Sequence, residues 1–193
     1  MLIITSTGGE DFESASTGVV NAVCSNVYDI GMHEQEYQGN KKTVHQIIIM
    51  WEINETIKKG DFAGKRFVLT KRYTANLMNK SNLYKDLVAW RGIDFTEEEA
   101  KGFDLEKVIG ANCLLNIGLS KNGKPKITSI MRLPKDKYEI MKPELPKDHI
   151  PKWIEAERIK GFQQTNPYKD SMNIDDKPDM KFIDSDEDSS IPF

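Results

Sequence analysis

The sequence predicts an all-β domain with one or two short helices, followed by a disordered acidic C-terminal tail. Three observations predict it: β-prone runs separated by turn residues, one change to helical spacing in mid-chain, and a collapse of apolar content after Gln163. At 193 residues and 38% hydrophobic content, the chain has apolar material for one ordinary core.

The first dozen residues, with Gly8-Gly9 and the acids Glu10, Asp11 and Glu13, read as a loose arm. From Thr17 the pattern tightens, and Val19 to Ile30 alternates as a long bent strand would. Gln38-Gly39-Asn40-Lys41 supplies a turn, and Thr43 to Ile53 is the strongest strand signal in the chain. Gly60 and Gly64 mark the connection to a third strand, Lys65 to Thr74. The period then changes. Leu83, Leu87 and Trp90 fall on one helical face, with Ser81 as cap and Gly92 as stop. Thr96-Glu97-Glu98-Glu99 is a capping box, and Phe103 to Gly110 gives another turn. Ala111–Leu119 and Lys124–Leu133 flank Asn122-Gly123, a strong hairpin signal.

Three strands, a helix and a closing hairpin is the order of the OB-fold, a five-stranded barrel whose ligand face lies on the middle strands and adjoining loops. An SH3-like barrel or an α+β sandwich explains the helix between strands three and four less directly. Four segments follow: an arm over 1–15, an OB-fold-like domain over 16–137, a Pro-rich linker with a short amphipathic helix over 138–163, and a disordered acidic tail over 164–193.

The longest apolar run, Ile47-Ile48-Ile49-Met50-Trp51, is a strand's worth, far short of a membrane span. The N-terminus lacks the basic region of a secretory signal, so the expected location is the cytoplasm. Cys24 and Cys113 are expected as buried reduced thiols, and His33, His45 and His149 have no partners at metal-ligand spacing. No cofactor or metal is expected.

Charge is segregated along the chain. Residues 1–39 carry six acids and no Lys or Arg, whereas residues 40–92 carry eleven bases against four acids. Residues 111–137 are again basic, with six bases and one acid, and residues 166–193 are acidic, with eight acids and three bases. A basic field therefore exists in the middle of a chain whose net charge is -3.

The tail ends Asp184-Ser185-Asp186-Glu187-Asp188-Ser189-Ser190-Ile191-Pro192-Phe193. This segment resembles the acidic tip of bacterial single-stranded-DNA-binding proteins, which closes on Ile-Pro-Phe after a run of aspartates. The resemblance implies that Asp184, Asp186, Glu187, Asp188, Ile191, Pro192 and Phe193 bind replication, recombination and repair proteins, the terminal ring filling an apolar pocket and the acids steering the encounter. Ser189 and Ser190 stand where that pattern has its last acids. A second stretch, Leu83 to Gly92 with Phe95-Thr96, Glu98-Glu99, Phe103-Asp104-Leu105 and Ile109-Gly110, is similar to phage-encoded single-stranded-DNA-binding proteins and implies a phage or prophage role.

Single-stranded DNA needs cations along its phosphates and flat side chains for its bases. The candidates for that work are Trp51, Lys65, Arg66, Lys71, Arg72, Tyr73, Lys80, Trp90, Arg91, Lys121, Lys124, Lys126 and Arg132. The acidic tail is expected to lie in the basic groove and compete with DNA. No nucleotide-binding loop, nucleophile elbow or zinc-protease helix occurs, so a binding protein is expected rather than an enzyme. Two other readings stay open: an interaction adaptor whose tip mimics a host tail without DNA binding, and a metal-dependent nuclease. No heptad fixes an oligomeric state, and a single barrel of this kind acts as a monomer or as a homo-oligomer.

Overall fold

The computed structural model describes residues 13–37, 39–134 and 137–163. Most of the expected arm and all of the tail, including its seven candidate partner-binding residues, lie outside the described residues.

Five strands, β1 (Gly18–Tyr37), β2 (Asn40–Thr56), β3 (Arg66–Thr74), β4 (Asn112–Leu119) and β5 (Pro125–Arg132), form one antiparallel sheet in the order β3-β2-β1-β4-β5. Helices α1 (Asn82–Arg91) and α2 (Glu97–Lys101) and a 3-10 turn (Leu105–Val108) lie between β3 and β4, and α3 (Lys152–Gln163) ends the described chain. This is the OB-like order read from the sequence. Among the described residues no ladder joins β3 to β5, so the expected barrel is not closed by hydrogen bonds; α1 contacts both strands at the gap.

The sheet curls because β1 serves two neighbours. Residues 18–23 pair with β4, residues 22–37 pair with β2, and register shifts at Cys24/Asn26 and Asp29/Gly31 bend the strand. Gly31 sits at φ 75 in the second irregularity, a conformation that favours glycine. Beyond the last β2–β3 pair, Gln46↔Thr74, residues 32–37 and 40–45 continue as a two-stranded ribbon.

Alternation decides which side chains go inside. Ile47, Ile49, Trp51 and Ile53 of β2 meet Ala22, Cys24, Cys113, Leu115 and Ile117 in the main core, and Leu83, Leu87 and Trp90 of α1 cover one end of it. Both cysteines are free and buried, as expected. Ser81 caps α1 by accepting from Tyr84 N, Gly92 ends it at φ 73, and the Thr96–Glu99 capping box forms on α2.

The other face of the β1–β2 pair is buried as well. Tyr28, Ile30, Ile48 and Met50 form a second cluster with Ile154 of α3 and Leu145. The segment expected as a linker is fastened across this face by its backbone. Asn21 donates to Glu139 O, Asn26 to Pro146 O and Lys147 O, and Tyr28 to His149 O. The Glu52 carboxylate, almost wholly buried, accepts from Glu144 N and Leu145 N. Gly161 lies so near Ile30 that an added Cβ would collide with the Ile30 carbonyl oxygen, so backbone packs on backbone there. Among the described residues no helix is long and apolar enough to cross a membrane.

Candidate nucleic-acid interface

The thirteen candidate contacts divide by what they touch. Three are corrections. Trp51, Tyr73 and Trp90 are 0%, 3% and 6% exposed, because each lies on the inward face of its strand or helix. The two indoles pack against each other at 5.8 Å between centroids, and Tyr73 donates to Asp86 at 2.8 Å. Burial, and then the Asp86 carboxylate, pushes the Tyr73 phenol far above its ordinary value. None of these rings offers a face to a base.

Four cations are held by carboxylates of the chain itself. Arg66 meets Glu144 at 3.1 Å and Glu52 at 3.5 Å, and donates to Lys142 O. Lys71 meets Asp86 at 2.5 Å on the inner side of β3. Arg72 meets Glu157 of α3 at 2.5 Å, and hydrogen bonds from Arg72 and then Lys160 hold that carboxyl below the usual range. Arg91 meets Glu99 at 2.8 Å and stacks over Phe95.

Lys65, Lys80, Lys121, Lys124, Lys126 and Arg132 make no ion pair among the described residues. They come from several elements. Lys65 adjoins the start of β3, Lys80 precedes α1, Lys121, Lys124 and Lys126 belong to the β4–β5 hairpin, and Arg132 packs beside Gly92. The basic field counted along the chain is thus partly neutralised: charge counting registers cations but not the acids, 8 to 85 residues away, that pair with Arg66, Lys71, Arg72 and Arg91.

The structure brings together two rings that were not among the candidates. A groove of about 740 Å³ runs between β2, β3 and the segment around residues 144–153, and both Phe62 and Trp153 line it. Phe62 is 61% exposed and Trp153 48% exposed. Lys65 Nζ stands 5.6 Å from the Phe62 ring centroid. Phe62 is presented by a tight turn in which Gly64 N donates to Ile57 O at 2.8 Å and Lys65 N to Phe62 O at 3.0 Å. Gly60 and Gly64, at φ 82 and 85, make that turn accessible to the backbone. A signal was present in the sequence: an aromatic between two glycines, with no strand around it to bury it.

Neither family models nor curated proteins match this chain.

The acids of the groove are largely engaged. Glu52 and Glu144 hold Arg66, and Glu13 accepts from Lys58 N. Lys65 has no ion-pair partner among the described residues, and Lys58 and Lys59 lie on the adjoining loop and Lys152 beside Trp153. Two exposed rings, with nearby ammonium groups that have no ion-pair partner among the described residues, can stack flat groups and neutralise anions. Among the described residues no three His, Cys, Asp or Glu side chains gather where a metal ion could be held.

Proposed function

We propose that this protein binds single-stranded DNA with little sequence preference, the strand lying along the groove with bases against Phe62 and Trp153 and phosphates near Lys58, Lys59, Lys65 and Lys152. The observation that carries the reading is the pair of exposed rings lining one groove on the outer side of an OB-like sheet, beside unpaired lysines. Rings of this kind take any base, because every base has a π-face, which suits a coating protein better than a sequence reader. The segment 184–193 adds the second half of the proposal: its acids and apolar end recruit replication or recombination enzymes in the cytoplasm of a bacterial cell, in a phage or prophage setting. Titration of the full chain with fluorescent oligo-dT at low and moderate salt tests it. Micromolar or tighter binding that weakens with salt is the expected outcome. Absence of binding at low salt refutes the DNA reading and favours the adaptor, a reading to which the covered β1–β2 face and the intramolecular pairing of Arg66 and Arg72 lend support.

A further inference from the structure

A second cavity, of about 690 Å³, opens where α1, the 3-10 turn and the end of β5 meet residues 138–140, and it shares no lining residue with the groove. Its apolar wall includes Leu87, Trp90, Phe103 and Val108, and the exposed Tyr138 and Ile140 stand at its edge. Arg91, Lys107 and Arg132 also line it, and among the described residues no carboxylate does. Arg91 gives Nη2 to Glu99, but its Nη1 is buried with no hydrogen-bond partner among the described residues. Lys107 and Arg132 make no ion pair there either, and the Arg132 stem is set in place against Gly92. Two cations without an ion pair among the described residues, and the unpartnered Nη1 of Arg91, around an apolar hollow select a ligand that combines carboxylates with an apolar or aromatic group.

Residues 184–193 have that composition, with Asp184, Asp186, Glu187 and Asp188 shortly before Ile191-Pro192-Phe193. We propose that this cavity is a docking site for that segment of the same chain, with the Phe193 ring in the apolar hollow and the acids near Arg91, Lys107 and Arg132. The cavity suits a carboxylate-rich segment, because among the described residues no carboxylate lines it. Reach is sufficient. The 21 residues from Gln163 to Asp184 span up to about 70 Å, whereas a folded body of about 150 residues has a radius of gyration of about 15 Å. Tethering gives the segment an effective concentration on the order of millimolar, so even weak docking is populated. Docking here leaves the groove open, in contrast to the competition with DNA expected from charge alone, and a partner protein must draw the segment out of the cavity.

The test follows the indole N–H resonances of Trp51, Trp90 and Trp153 in the full chain by NMR, without DNA, so that its outcome is separate from that of the DNA reading. Phe193→Ser is expected to shift Trp90 and leave Trp51 and Trp153 in place. A peptide of residues 184–193 added to that variant restores the Trp90 position. Lys107→Glu with Arg132→Glu weakens the peptide at least tenfold, and Lys107→Glu alone, on an exposed position of the 3-10 turn, weakens it in a chain whose fold is undisturbed. An unmoved Trp90, a shift at Trp153 instead, equal peptide affinity in the charge-reversed variants, or a Trp90 position that depends on protein concentration overturns the proposal.

Discussion

Removing the two groove rings is the sharpest perturbation of the proposed DNA site. Phe62 and Trp153 are well exposed, so Phe62→Ala and Trp153→Ala take away stacking surface without opening the main core. Each stacked base contributes roughly 1 to 3 kcal/mol, which corresponds to a loss of about five- to 150-fold in affinity per ring. If the two rings stack different bases, the losses add, and the double variant falls at least about 25-fold. Fluorescence anisotropy of labelled oligo-dT at low salt measures this directly. An internal control comes from the tryptophans themselves: Trp51 and Trp90 are buried, so quenching on DNA binding originates at Trp153. Trp153→Phe is therefore expected to keep most of the affinity and lose the quenching. Native affinity in both alanine variants, or undiminished quenching in Trp153→Phe, refutes the placement of DNA in this groove.

Four ammonium groups near the groove, Lys58, Lys59, Lys65 and Lys152, give a slope of log affinity against log salt of about -3, measured by the same titration; a slope of about -5 would bring in the three β4–β5 hairpin lysines as well. Glu52→Ala leaves Glu144 N, Leu145 N and part of the Arg66 guanidinium without their acceptor, and urea unfolding is expected to show a loss of about 3 to 5 kcal/mol, whereas a loss under 1 kcal/mol would contradict the role given to this buried carboxylate. Gly161→Ala forces α3 away from Ile30, with an expected loss of about 1 to 3 kcal/mol and faster amide exchange in α3 than in the β1–β2 ladder. Burial, and then Cys24, raises the Tyr28 phenol to about 12 from an ordinary value of 10.0, so the fold favours the protonated ring. Its contribution is complete below pH 10 and is lost as pH rises through about 12; the absorbance difference between native chain and Tyr28→Phe should show no phenolate step near pH 10.

Much of the sheet was legible because its signals are local. Alternation in β2, the Asn122-Gly123 hairpin, and the caps at Ser81, Gly92 and Thr96 act over a few residues and appear where expected. What was not legible depends on distant partners. Asn21, Asn26 and Glu52 occupy strand positions that alternation assigns to solvent, yet they anchor the backbone of a segment about 90 to 120 residues further on. The prolines at 143, 146 and 151 speak against further sheet, correctly, but they do not reveal that an irregular chain can be tied to a sheet through its carbonyls. The candidate site suffered from the same blindness. Arg72 and Glu157 are 85 residues apart in sequence and 2.5 Å apart in space. Conversely, Phe62 and Trp153 looked unremarkable alone, and only folding gives them a common groove.

Because Ile154 and the 139–149 backbone finish the far side of the β1–β2 pair, five strands and α1 are not a self-sufficient unit. A fragment cut after Arg132 would leave Tyr28, Ile30, Ile48 and Met50 wet and strand the Glu52 carboxylate on an oily surface, inviting copies to stick together. The smallest piece worth expressing thus reaches Gln163, and any fusion or cleavage site belongs beyond it.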